Sequence, residues 1–161
     1  MTHRTILICG LSRSGKTTQA LKLIDRLQLN NHGAIQYCQQ YVNCQHINGD
    51  DLRKKFNDWD FSRTGRLRQA ERVNCQIDLT SDYTIIDIIA PLIEQRKAIN
   101  PDFIIWMDTL QIDFYNGSIP FEEVKHPRLF RITNHKIDRT DFIVSILQDH
   151  NIYNSGFWFQ T

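Results

Sequence analysis

Residues Thr5-Ile-Leu-Ile-Cys9-Gly10-Leu-Ser12-Arg-Ser14-Gly15-Lys16-Thr17-Thr18 decide how the chain is read. Thr5 to Cys9 is a short, β-rich apolar run that ends at a glycine, the pattern of a buried strand. From Lys16 the period changes. Ala20, Leu23, Ile24 and Leu27 recur at i, i+3, i+4 and i+7, a helical stripe that ends near Asn30 and Asn31. Between strand and helix, Gly10 to Thr17 matches GxxxxGK(S/T), a turn built to cradle phosphates. Gly10 and Gly15 let the main chain curl so that successive N–H groups, with Ser12, Ser14 and Thr18 alongside, face one anion. The helix start adds its partial positive charge. Lys16 brings a point charge to the β- and γ-phosphates of a nucleotide such as ATP, and Thr17 offers a hydroxyl to Mg²⁺.

Further along, strand and helix patterns alternate. Ala34–Tyr37 and Cys44–Ile47 are weaker strand candidates, the second followed at once by Asn48, Gly49 and Asp50. Leu52 to Phe56 reads as a short helix. Ser62 to Leu79 reads as a longer one with Leu67, Ala70, Asn74 and Ile77 on one stripe. Tyr83 to Ile89 is a strong buried strand, Pro91 opens a helix to about Ile99, and Phe103 to Met107 is another strand. Residues 109–127 are polar, contain Gly117 and Pro120, and read as a lid. Leu129–Ile132 reads as a last strand, and Ile143, Ile146 and Leu147 mark a final helix. This alternation predicts a single α/β domain over residues 1–161: a mostly parallel sheet of about five strands, covered by helices on both faces.

Composition narrows the function. At 161 residues, 41% hydrophobic and 23% charged, the chain has ordinary globular content for one domain. A formal net charge of +1 supplies no broad field for nucleic acid or an anionic membrane, so nucleic acid is not an expected partner. Cys9, Cys38, Cys44 and Cys75 form no CxxC pair and read as reduced thiols. The six histidines show no metal-ligand spacing. The first strand pattern begins almost at once, which argues against a signal peptide, and the apolar runs are too short to span a bilayer. The expectation is a cytoplasmic protein (host cytoplasm if phage-encoded).

Four later segments carry a resemblance. The chain reads Asn48-Gly-Asp50-Asp51-Leu-Arg53, then Asp60-Phe61-Ser62-Arg-Thr-Gly-Arg66-Leu-Arg-Gln69-Ala-Glu-Arg72, then Ile89-Ala-Pro91 followed by Arg96, and Trp106-Met-Asp108-Thr109. In order and spacing these resemble the DGDNxR, GFSxxDRxxNxRR, ISPxRxxR and (V/I)DTP segments of the adenylylsulfate kinases, and more closely the divergent phage-type members. The resemblance implies a three-layer P-loop kinase fold, a possible homodimer, and an ATP- and Mg²⁺-dependent transfer to the 3′-hydroxyl of adenosine 5′-phosphosulfate. It also implies that Arg53, Phe61, Arg66 and Gln69 line the acceptor pocket. The residues agree with that: Arg53, Arg66 and Arg72 offer forked donors to an anion, Arg66 and Gln69 share a helix face, and Phe61 could stack on a base.

The departures from the family pattern bear on chemistry. Its first DGD carboxylate is Asn48 here, and an amide cannot accept a proton as a carboxylate does. Asp50 and Asp87 are the candidate substitutes: with Lys16 they form the expected catalytic set, and Thr17 with Asp50 the expected metal ligands. Asp87 ends a hydrophobic strand, as a Walker-B acid does; the alternative is an acid capping the loop before Pro91. The family's usual Asn is Gln69. In the lid only Lys125 is a certain cation, and a plain surface lysine is the simpler reading of it. Asp108-Thr109 reads either as a lid hinge or adenine contact, or as a turn. Phe157, Trp158 and Phe159 read as cover for the core or a partner. Two other functions stay open: a kinase for another nucleotide or a polynucleotide hydroxyl, and a non-catalytic nucleotide-binding module.

Overall fold

The computed structural model describes residues 3–29, 42–110, 119–148 and 159–160. Its sheet is built on β1 (Arg4–Gly10), whose residues Ile6 to Cys9 are wholly buried. β1 lies between β3 (Tyr83–Asp87) and β4 (Phe103–Met107), with β2 (Cys44–Asn48) beyond β3. On the other side β5 (Leu129–Ile132) and a two-residue β6 (Phe159–Gln160) complete the order β2-β3-β1-β4-β5-β6, every pair parallel. The expected parallel α/β sheet is therefore present, with the short β6 added at its edge. The candidate strand at Ala34–Tyr37 lies outside the described residues, as do Phe157 and Trp158.

A strand buried on both faces reads as a continuous apolar run, and the side-chain alternation decides which helix each residue meets. Ile6 and Ile8 pack with Ala20, Leu23 and Leu27 of α1 (Lys16–Leu29), and with Ile143 and Leu147 of α5 (Thr140–Gln148). Leu7 and Cys9 face the opposite layer. There they meet Leu52 of α2 (Gly49–Phe56), Ala70 and Val73 of α3 (Arg63–Gln76), and Ile99 of α4 (Ile93–Ile99). Burial lifts the Cys9 thiol to about 12, so it is an inert core group.

The α3 stripe differs from the sequence reading. Gly65, Arg66, Gln69, Ala70 and Val73 are buried, rather than a face running through Leu67, Asn74 and Ile77. The helix is rotated because two polar side chains, Arg66 and Gln69, point inward to a cleft. Periodicity counts apolar residues only and misplaces such a helix.

Local signals set the ends of α2 and α3. The Asn48 side chain caps α2 by accepting from the N–H groups of Asp50 and Asp51. Asp50 and Asp51 lie in the first turn and Arg53 to Lys55 in the last, matching the helix dipole, and Asn57 closes the helix in the left-handed region. Ser62 caps α3 through the Gly65 N–H at 3.2 Å. Between them, Asp58 accepts from Arg68 Nε and Arg72 Nη1, each at 2.7 Å, and the Arg68 bond leads in holding its carboxyl well below the usual range. Arg72 is therefore committed to this loop and also covers the Phe56 ring.

Of the expected lid, residues 111–118 lie outside the described residues. The following stretch is tied to the body: Phe121 stacks on Trp106, Val124 is buried, and Arg96 donates to the carbonyls of Ala90, Pro91, Glu122 and Glu123. Among the described residues no helix is long and apolar enough to cross a membrane.

Gly65 offers a test of the α2–α3 packing. Alanine there would gain about 1 kcal/mol of helix propensity. Its Cβ, however, would lie 2.3 Å from the Asp60 carbonyl oxygen and 2.5 Å from Asp60 Cγ, and such overpacking typically costs about 1–3 kcal/mol. The clash should win. Gly65→Ala is expected to destabilise the chain, by up to about 2 kcal/mol in urea unfolding.

Candidate active site

The carboxyl ends of β2, β3 and β1 converge on a cleft of about 340 Å³ beneath the glycine-rich loop. Ligands in open parallel sheets bind at such ends, where the strand order reverses. Here the chain leaves β1 for the far strand β2, returns to β3, and then crosses β1 to β4.

The loop has the shape its sequence requires. At Gly10, φ is +150°, and a Cβ there would lie 2.5 Å from the Met107 carbonyl oxygen and 2.8 Å from Ser14 Oγ. Gly15 has φ +96°. No other residue type fits Gly10 without moving β4. Thr109 Oγ1 donates to the Ser14 carbonyl at 2.8 Å, locking the loop to the end of β4. Asp108 pairs with Arg131. Thr109 thus braces the phosphate loop, while Asp108 ties the end of β4 to β5.

Lys16 Nζ donates to the Leu11 carbonyl at 2.8 Å, across the loop. Burial pushes its pKa down, while Asp87 and Asp50 push it up. The two carboxylates favour the charged form of this partly buried ammonium, which suits it to an anionic group. Ser12, Thr17 and Thr18 also line the cleft. Ser14 is buried and its hydroxyl has no partner among the described residues.

Asp87 is the most elaborately held side chain of the cleft. Thr17 Oγ1 donates to its Oδ1 at 3.3 Å, and Asn48 Nδ2 lies 3.1 Å from both carboxylate oxygens. His46 Nε2 lies 2.8 Å from Oδ2. This geometry fits the Walker-B reading: the acid faces the loop threonine instead of capping the turn before Pro91. Asn48 does two tasks that a carboxylate could not combine, since its oxygen caps α2 while its amide nitrogen donates to Asp87. His46 was missed at the sequence level. Its signal was its place two residues before Asn48, hence on the same face of β2.

Thr17, Asp87 and Asp50 are hard oxygen donors of the kind Mg²⁺ takes alongside water and phosphate. Among the described residues no three His, Cys, Asp or Glu side chains form a self-sufficient metal cluster. The set suits an ion that shares its ligands with a nucleotide, and Asp50 borders the cleft from the first turn of α2.

Arg53, Phe61, Arg66 and Gln69 line the far side of the same cleft. Arg53 Nη1 donates to the Asp58 and Asp60 carbonyls, Arg66 Nε donates to the Phe61 carbonyl, and both guanidiniums approach the Phe61 ring, at 4.5 and 5.8 Å. Burial lowers the Arg53 pKa, opposed by Asp58 and Asp50. Phe61 keeps 45% exposure, leaving ring surface on which a planar group can stack. Gln69 Nε2 donates to the Gly49 carbonyl at 3.0 Å. Arg72 and Arg96 serve the surrounding loops, and Lys125 pairs with Glu123 on the surface. The phosphate loop and the set Arg53, Phe61, Arg66 and Gln69 thus share one cavity.

A family model for adenylylsulphate kinase matches residues 2–106, well over half of the sequence. The chain belongs to the adenylylsulfate kinase family. No curated protein matches it closely enough to add to this. Among solved structures, it is similar to the Mycobacterium tuberculosis APS kinase CysC in complex with AMPPNP and APS (TM-score 0.70, 20% identity, 92% of this chain and 99% of that one). It also resembles a sugar kinase from Janibacter sp. HTCC2649 (TM-score 0.56, 16% identity, 98% and 99%). Thymidylate kinase from Ehrlichia chaffeensis is similar too (TM-score 0.53, 15% identity, 92% and 99%). At these identities the structures speak to the fold, a P-loop kinase fold.

The double role of Asn48 can be tested in this family member. Asn48→Asp keeps an N-cap but sets a second carboxylate about 3 Å from Asp87, where like charges raise one pKa. Relative to the parent, that variant should melt lower at pH 7 without metal and recover as the pH falls towards 5, because protonation relieves the repulsion. Asn48→Ala instead should lose about 1 kcal/mol at both pH values, read by thermal unfolding.

Proposed function

We propose that the chain transfers the γ-phosphoryl group of ATP to the 3′-hydroxyl of adenosine 5′-phosphosulfate. One observation carries this reading: the phosphate loop and the set Arg53, Phe61, Arg66 and Gln69, over 30 residues further along the chain, line a single cleft. Family membership supports it, as does the likeness to an APS kinase whose structure holds AMPPNP and APS.

In this reading the loop N–H groups and Lys16 grip the β- and γ-phosphates. Arg53 and Arg66 bind the anionic phosphosulfate, and Phe61 stacks on its base. We assign the donor's base to a second cavity of about 240 Å³ across the loop, bordered by Arg13, Thr18, Thr109, His135 and Ile137. Thr17, Asp87 and Asp50 would hold Mg²⁺, which when bound offsets the charge of the triphosphate. Asp50 is the candidate to take the proton of the attacking hydroxyl, because Asn48 cannot. Phosphoryl transfer rests chiefly on positioning and electrostatics, so a displaced carboxylate is compatible with turnover.

A second reading keeps ATP and changes the acceptor. It is favoured by the engagement of Lys125 with Glu123 on the surface, which leaves the described part of the lid without a cation at the cleft.

The test is to incubate the protein with γ-labelled ATP, Mg²⁺ and, separately, adenylylsulfate, AMP, deoxynucleotides or a 5′-hydroxyl oligonucleotide. Label should appear on adenylylsulfate. Label on another acceptor would select the second reading, and ATP binding without transfer to any acceptor would make the chain a nucleotide-binding module. Asp50→Asn should lower turnover by at least about 100-fold. Asp51→Asn, whose carboxylate faces Lys54 at the surface, should change it less than about threefold. Equal, mild losses would remove Asp50 from the mechanism.

A further inference from the structure

Two buried side chains of the cleft carry amide oxygens with no hydrogen-bond partner among the described residues: Gln69 on α3 and Gln95 on α4, each 2% exposed. Native structures leave few such groups, because a buried acceptor that is not paired forfeits its hydration without return. Gln69 is anchored at its other end by the Gly49 carbonyl. Gln95 lines the same cleft from α4, together with Ile88, Ile89 and Ala90.

The backbone that presents Gln95 is firmly set. The next residue, Arg96, is buried and ties together the carbonyls of Ala90, Pro91, Glu122 and Glu123. Ala90 is held at φ +44°, a conformation a residue with a Cβ adopts only when its surroundings impose it. A polar group on so fixed a mount is suited to reading a ligand. The charge layout indicates which part. Arg53 and Arg66 supply the cationic partners for an anionic group, whereas an amide oxygen repels an anion and attracts N–H or O–H.

We propose that Gln95 is a specificity-determining residue of the acceptor site, its amide oxygen accepting a hydrogen bond from a neutral donor on the acceptor nucleotide. That donor is either an exocyclic amine of the base or the ribose 2′-hydroxyl. The proposal rests on the acceptor being a nucleotide, as in the function proposed above, but not on its carrying sulfate.

The test is calorimetric binding of the full chain to AMP and adenylylsulfate, to purine riboside 5′-monophosphate (no exocyclic amine), and to 2′-deoxyadenosine 5′-monophosphate (no 2′-hydroxyl). Wild type should bind AMP about 10- to 100-fold more tightly than the analogue lacking the donor that Gln95 reads. Gln95→Met should weaken AMP by that same factor and leave that analogue unchanged, so that the preference vanishes. Loss of the preference over the purine riboside assigns the amine, and loss of the preference over the deoxynucleotide assigns the hydroxyl. Equal weakening of every ligand, or none, would overturn the proposal. So would a wild type that binds both analogues as well as AMP, a comparison that holds even if the variant fails to fold. If these preferences appear and depend on Gln95 while labelled phosphate never reaches adenylylsulfate, the Gln95 assignment stands and the sulfate-carrying acceptor is wrong.

Discussion

The Asp87 carboxylate receives hydrogen bonds from two neighbouring elements at the carboxyl end of β3: Thr17 at the start of α1, and His46 and Asn48 at the end of β2. A carboxylate with 3% of its residue exposed is costly to bury unless it is met in this way. Meeting it draws the phosphate loop, the middle strand and the N-terminus of α2 to a common point. Asn48 is the hinge of this arrangement. The same side chain that donates to Asp87 caps α2, so the orientation of that helix, and with it Asp50 and Arg53, is tied to the acid.

From that point the cleft divides by chemistry. On the loop side lie main-chain donors and a desolvated lysine whose pKa is lowered by burial. On the α3 side lie buried guanidiniums, a half-exposed ring and two amide side chains. The first half suits a polyphosphate. The second suits a molecule with an anionic end, a flat face and neutral hydrogen-bonding groups. Desolvation strengthens both sets of interactions, since a charge lifted out of water is felt more strongly by its partner.

The surrounding structure supports this division with arginines that face the scaffold rather than a substrate. Arg68 and Arg72 fix the α2–α3 loop through Asp58, and Arg96 fixes the loop after β3 together with residues 122–123. A run of arginines in sequence looks uniform. In space these residues separate into those that line the cleft and those that shape its walls.

Much was legible in the chain itself. The strand, glycine turn and helix of residues 5–27 determined the parallel sheet and the phosphate loop, because a cradle of N–H groups demands glycine at fixed offsets and an apolar strand behind it. The resemblance to the adenylylsulfate kinase segments also marked Arg53, Phe61, Arg66 and Gln69. Tertiary structure alone decided the phase of α3, where inward-facing polar residues defeat a count of apolar ones. It alone revealed that Arg72 and Arg96 brace loops, that His46 and Asn48 hold Asp87, and that the Gln95 amide oxygen borders the cleft with no partner among the described residues. Those facts depend on which groups remain to satisfy each buried donor or acceptor once the elements pack, and a linear pattern does not contain that distance information.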